Sequence, residues 1–336
     1  MSKKQEKTVN IPRTPIRYMW FLTKGNRGFF FLTMFVATAG QILATSIPLV
    51  FKHIIDSAEG VVKGVSTQGD VWFWAMSYPV AIGVMFVLWR TSGFTGMRWM
   101  TAANARSYET LFSYLGKHSH TYFSDRFAGS LSSKVTHASE GSQSLYESFV
   151  WNYYPGVLAL LLTLVYICLA NLAAGGVFVV LLVVLIPVNI YLAKYRRPCV
   201  VEYATQATKA RGRLVDTLTN ISAVRQYALH DFEQKSFHEE VQHMRSLNLR
   251  QWHISEWGLL VNNALIVIFE FALLMVIISL WTKGSLSTGS LIMLITLLVN
   301  VNGTLVFIGS SINGFIRRYA EVEEGLGGFK EKEEVI

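Results

Sequence analysis

Long stretches without Asp, Glu, Lys or Arg dominate the pattern of this chain. Residues 28–51, 71–89, 148–193 and 284–316 hold none of the four, in runs of 24, 19, 46 and 33 residues. A helix needs about 20 apolar residues to cross a hydrocarbon core. The 46-residue run is therefore two helices, with a turn predicted near 171–176, where Asn171 is followed by Gly175 and Gly176. A sixth span is predicted over 257–282, carrying a single charge, Glu270. The first apolar run is long, follows a basic tail and lacks a cleavage site, so no secretory signal peptide is expected.

Two polar stretches, 90–147 and 194–256, separate the spans, and the other three connections are short. They contain one proline, Pro198, and few glycines. Segments 201–220 and 231–250 are rich in Ala, Gln, Glu, Arg and Leu, which favour helix. The membrane helices are thus expected to run on as long rods turned by short breaks. Residues 11–24 mix Pro, Arg, Tyr, Trp and Phe, the composition of an interfacial helix.

Composition agrees with a membrane protein. Of 336 residues, 51% are hydrophobic and 15% charged, against about 25% charged in a soluble domain. The net charge of +8 raises nucleic acid as a partner, but its placement excludes that. Lys52, Lys63 and Lys283 lie on the short-loop side, and the other 27 basic residues lie on the tails and rods. The excess is an orientation signal, which puts both termini and both long hairpins in the cytoplasm of, by expectation, the plasma (inner) membrane. Lys194, Arg196 and Arg197 most simply anchor to lipid headgroups. Cys168 and Cys199 form neither a disulfide framework nor a metal cluster.

Three segments carry a family likeness. Tyr122-Phe123-Ser124-Asp125 with Gly129, Leu131, Ser133 and Lys134 resembles the first coupling region of ABC exporters of the lipid A and multidrug type. That family usually continues with Asn-Asp, where this chain has His137-Ala138. Ile221, Val224, Arg225, Tyr227 and Ala228, with Glu233 and Phe237 beyond, are similar to the stretch around the second coupling helix. Gly284-Ser285-Leu286-Ser287-Thr288-Gly289 is similar to the start of the sixth helix, although the proline usual in mid-helix is absent.

The resemblance spans about residues 12–328. It implies a six-helix transmembrane domain (28–318), preceded by a cytoplasmic tail and elbow helix (1–27) and followed by a polar linker (319–336). Coupling regions are expected near 122–140 and 217–237. It also implies a dimer, homo- or heteromeric, and coupling helices that dock on nucleotide-binding domains using ATP and Mg. A phosphate-binding loop G-x-x-x-x-G-K-[ST] does not occur here. The only Gly-Lys, Gly116-Lys117, is followed by His118. The chain itself is therefore expected to be no enzyme and to hold no cofactor. The ATPase is either a separate chain, or a fused one that was lost or cut off.

Candidate transport residues come from polar groups inside spans. An ionised Glu270 costs roughly 2.5–3.5 kcal/mol on insertion scales. Asn263 is seven residues earlier on the same face. Together they are candidates for the substrate pathway of a cationic or amphipathic solute, or Glu270 is a protonated partner in an interhelical hydrogen bond. Thr296, Asn300, Thr304 and Ser311 form a second stripe, which faces either a cavity or another helix. Arg90 and Arg98 line the inner vestibule or are solvated. His118, His120, His238 and His243 are expected to be solvated.

Three functions follow: an ATP-driven exporter subunit that moves a hydrophobic or amphipathic solute by alternating access with a nucleotide-binding domain supplied elsewhere, a transport-inactive scaffold or sensor derived from one, and a proton-coupled carrier using Glu270.

Overall fold

The computed structural model describes residues 11–12, 14–124, 128–327 and 329, apart from the side chains at 121, 124, 128 and 306–313. Among the described residues there is no strand. The helices are α1 (Pro15–Leu22), α2 (Arg27–Val62), α3 (Gln68–Leu115), α4 (His120–Ser124), α5 (Ala128–Ser148), α6 (Tyr154–Ala170), α7 (Leu172–Thr219), α8 (Ile221–Gln226), α9 (His230–Thr282) and α10 (Thr288–Gly327). A π-helical turn, Phe149–Tyr153, joins α5 to α6.

Among the described residues six helices are long and apolar enough to cross a membrane, and the chain is an integral membrane protein. The rods are far longer than a span. α9 has 53 residues, about 80 Å at 1.5 Å per residue, against a hydrocarbon core of about 30 Å.

Two connections differ from the sequence expectation. The break between the third and fourth spans is one residue: Asn171 is extended (φ −164°, ψ 128°), and Gly175 and Gly176 already lie inside α7. The first apolar run ends at Phe51, yet α2 continues to Val62, because its polar end is mostly good helix former, Gly60 is carried within the helix, and the left-handed cap comes only at Gly64. Pro155 explains the π turn. Having no N–H, it cannot donate back to Trp151, and the ladder widens so that Tyr154 N–H donates to Phe149 O.

The chain divides into two compact units, Met1–Leu172 with Ile277–Ile336, and Ala173–Val276. In the first, α2 packs along α3, and α10 packs on α5, α2 and α6. Its core gathers where α1 meets α3 and α5. Trp99 is fully buried, edge-on to Phe30 at 5.3 Å and to Tyr146 at 4.6 Å. The elbow α1 is tied there by hydroxyls. Tyr18 Oη lies 2.6 Å from Ser107 Oγ, itself 2.7 Å from Ser139 Oγ, and Tyr146 donates to Met19 O at 2.6 Å. Burial pushes the Tyr18 phenol up to about 12, so it stays a neutral hydrogen-bonding group.

Small residues set the approach of α10 to α5. A Cβ on Gly325 would stand 2.7 Å from Ala138 N and 2.8 Å from Lys134 O, both backbone atoms that cannot swing away. Gly325→Val is expected to cost about 1–3 kcal/mol through overpacking. A lower thermal midpoint of the detergent-purified protein checks this, and an unchanged midpoint would contradict the packing described.

Candidate functional site

The second unit is a helical hairpin, α7 and α9 joined through α8, held by polar contacts along its length. Asn189 Nδ2 donates to Asn262 Oδ1 at 3.0 Å, and Asn262 Nδ2 returns to Asn189 Oδ1 at 2.8 Å. Further along, Arg250 meets Glu202 at 3.6 Å and Gln206 Nε2 donates to Glu240 O at 3.4 Å. Lys209 lies 3.3 Å from Glu240, while Arg213 reaches Glu233 at 3.2 Å and Glu240 at 3.7 Å. Thr217 also donates to Glu233 at 3.3 Å.

This seam fixes the rotation of α9. One residue turns a helix by about 100°, and seven residues return it to within about 20°. With Asn262 turned toward α7, the residues Glu256, Asn263 and Glu270 share a stripe about 100° round α9. Asn263 is exposed and Glu270 half-buried, and neither Glu256 nor Glu270 makes an ion pair among the described residues. An open groove of about 630 Å³ follows the stripe past His253, Glu256, Trp257 and Asn263. Its floor is apolar, with Leu260, Ala264 and Val267, and its only formal charge is the Glu256 carboxylate.

The second candidate stripe, on α10, belongs to the first unit. Thr296 is half-buried and its hydroxyl donates to Ile292 O at 2.8 Å. Thr304 donates to Asn300 O at 3.0 Å. Both hydroxyls are thus satisfied within their own helix. Asn300 is exposed. The Ser311 side chain lies outside the described residues.

The coupling candidates fall at the hairpin tips. α4 is a five-residue helix carrying exposed Phe123. Asp125 lies outside the described residues. Gly129 and Ser133 are exposed on α5, Lys134 is half-buried and Leu131 is buried. On α8, Val224 is buried, Ile221 half-buried and Arg225 exposed, and just past its end Tyr227 (74%) and Ala228 are exposed. Glu233 turns inward to Arg213.

The α8 tip ends in a left-handed cap. Leu229 N–H donates to Val224 O at 2.9 Å and Ala228 N–H to Arg225 O at 3.2 Å, with Ala228 at φ 54°. The same bonds close α2 at Gly64 and α9 at Gly284, both at φ 73°. Among the described residues, the α8 tip alone carries this strain on a residue with a Cβ.

One expectation is corrected. His118 is not solvated: it is 6% exposed, stacked on Tyr122 at 4.1 Å and edge-on to Tyr114 at 4.6 Å. The aromatic neighbours, invisible in a helix-period count, bury it. Sequence reasoning also missed Asn189, Asn262 and Arg213. The signal was present, since an amide in each of two successive apolar runs is costly unless the two meet. Glu256 was missed as well, although it stands seven residues before Asn263.

Short turns alternating with long helical hairpins are the architecture of a six-span helical membrane domain. The family model described as the ABC transporter transmembrane region matches residues 30–305, and the chain belongs to that family. Among solved structures it is similar to a bacterial Atm1-family ABC exporter with ATP bound, at 14% identity and a TM-score of 0.72. The match covers 92% of this chain and 54% of that one, so the chain spans about half that exporter's length. No curated protein sequence matches.

Two outcomes are expected. Asn262→Leu, leaving Asn189 only its bond to Leu185 O, should cost about 0.6–2 kcal/mol, and the double change with Asn189→Leu should recover part of it. Thermal unfolding of the four-protein cycle measures the coupling, and strict additivity would contradict the paired amides. Ala228→Gly should stabilise by about 1 kcal/mol through relief of the left-handed residue, read in the same melts.

Proposed function

We propose that this chain is the membrane subunit of an ATP-driven exporter and that it moves a cationic amphipathic solute outward by alternating access. The observation that carries the reading is the pair of hairpin tips on rods more than twice as long as the roughly 30 Å hydrocarbon core is thick. Exposed Tyr227 at the end of α8 and exposed Phe123 on α4 are the apolar anchors such tips offer a partner. A nucleotide-binding domain holding ATP and Mg docks there, and the chain pairs with a second transmembrane domain. Closure of the ATPase draws the tips together, and the rods carry that motion to the spans. The seam from Asn189 to Glu233 makes α7 and α9 one lever.

The solute class follows from the α9 stripe. Glu256 and Glu270 stand 14 residues apart, about 21 Å along the axis, with Asn263 between them. Two carboxylates, an exposed Trp257 beside the first and an apolar groove floor suit a cation with an apolar body. The basic residues on the tails and rods favour a cytoplasmic location for both termini. The scaffold reading is favoured by one observation, His137-Ala138 at the first tip.

Affinity purification of the full chain tests the docking arm. A copurifying ABC ATPase is expected, and Tyr227→Ala should remove most of it while leaving the fold intact by circular dichroism. Glu270→Gln should slow ATP-driven uptake of a lipophilic cation into inverted vesicles without weakening ATPase docking. Retention of the ATPase by Tyr227→Ala together with unchanged uptake by Glu270→Gln would refute the reading.

A further inference from the structure

The turn that joins α1 to α2 gathers cations and offers them no acid. Residues 11–55 hold Arg13, Arg17, Lys24, Arg27 and Lys52, and no Asp or Glu. Lys24 and Arg27 are exposed, and their side chains make no hydrogen bond or ion pair among the described residues. A third cation arrives from α3. Arg106 donates through a terminal nitrogen to Lys24 O, so its guanidinium lies against the same turn. Glu109, three residues on from Arg106, is exposed and forms no ion pair with it among the described residues. Three like charges around one short turn repel each other, and a bound anion relieves that repulsion.

Aromatic rings hold two of the three in place. Arg27 lies over the Trp20 ring at 4.8 Å, and Arg106 lies over the Phe21 ring at 4.9 Å. A guanidinium stacked by its face keeps its N–H donors at the edge, in the planar fork that suits a phosphate. Lys24 O takes one donor of Arg106. The donors of Arg27 find no protein acceptor among the described residues.

An apolar column leads from the cations into the bilayer. Arg27, Phe31 and Phe35 stand four residues apart on one face of α2. Phe31 is 57% exposed and Phe35 71%. Phe35 lies about 12 Å along the axis from Arg27. Trp20 stands edge-on to Phe31 at 6.4 Å, beside the top of the column. A small anion has no use for such a column, whereas an acyl chain does. A zwitterionic headgroup would bring its own cation against Lys24 and the arginines. The occupant that fits both halves carries net negative charge at its head and hydrocarbon behind it.

We propose that Arg27, Arg106 and Lys24 bind the phosphate of one anionic phospholipid, whose acyl chain lies along Phe31 and Phe35. The lipid completes the joint between α1, α2 and α3. The site is independent of what the chain transports, and it differs from general attraction to a charged membrane because stacked rings fix its cations.

Native mass spectrometry of the delipidated, detergent-purified chain tests it, with phosphatidylglycerol and phosphatidylcholine of identical chains as probes. One phosphatidylglycerol should bind more tightly than phosphatidylcholine. Lys24→Gln with Arg27→Gln, which leaves the Arg106 tie in place, should weaken that binding by about 30-fold, from about fivefold for each cation. Arg27→Gln with Arg106→Gln should weaken it as much, with helix content unchanged by circular dichroism. Lys194→Gln with Arg197→Gln, which removes two exposed cations beyond the fourth span, should leave it unchanged. Inorganic phosphate in about tenfold excess should not displace the lipid. Equal binding of the two lipids, unaltered binding in the Lys24 and Arg27 variant, or an equal loss in the Lys194 and Arg197 variant overturns the site. Displacement by inorganic phosphate overturns the lipid as its occupant.

Discussion

Inside hydrocarbon, a backbone N–H or C=O that finds no partner in its own segment stays unpaired at a cost of several kcal/mol. Everything else in this chain follows from that constraint. Each span must be a continuous helix, and the helices here run on through Pro48, Pro79 and Pro187, each of which costs one ladder donor, and well past the apolar zone. At Pro155 the ladder also widens by one residue and goes on. Turns are confined to the ends, where left-handed caps collect the last carbonyls.

The same constraint governs how helices recognise one another. Lipid tails are as apolar as Leu, so burial of apolar surface gives little drive for association within the bilayer. Contacts are made instead by small residues and by hydroxyls and amides. Thr33 bonds Thr95 at 2.9 Å, Gly96 admits the Trp151 ring, and Asn189 pairs with Asn262. Beyond the apolar zone, charges take over, with Arg213 between Glu233 and Glu240. The two units use different means. The first has an aromatic core around Trp99, while the second is a hairpin stitched by polar pairs, which sets the face that α9 presents.

Much of the fold was legible in sequence because charge-free runs of sufficient length have one structural solution. The six spans, the helical rods and the interfacial helix at α1 follow from composition and length. The one-residue break at Asn171 was not legible, since Gly175 and Gly176 looked like the better turn and yet sit inside α7. The extension of α2 to Val62 was masked by the charge of Lys52 and Asp56. For the candidate site, the seven-residue spacing of Asn263 and Glu270 was readable, whereas the face they share was not. That face is set by Asn262 meeting Asn189, a pairing across 73 residues whose register depends on the whole hairpin. The burial of His118 was hidden for the same reason, because it depends on Tyr114 and Tyr122 converging at a tip.

The central claim is that an ATPase acting at the hairpin tips drives a solute along the polar stripe of the spans. Flux of a fluorescent lipophilic cation across proteoliposomes, with and without the copurified ATPase, tests it most directly. Transport that requires both the ATPase and hydrolysable ATP, and that ceases with a non-hydrolysable analogue, is the expected result. Flux driven by a proton gradient in the absence of the ATPase, or no flux with the ATPase docked and hydrolysing, would contradict it.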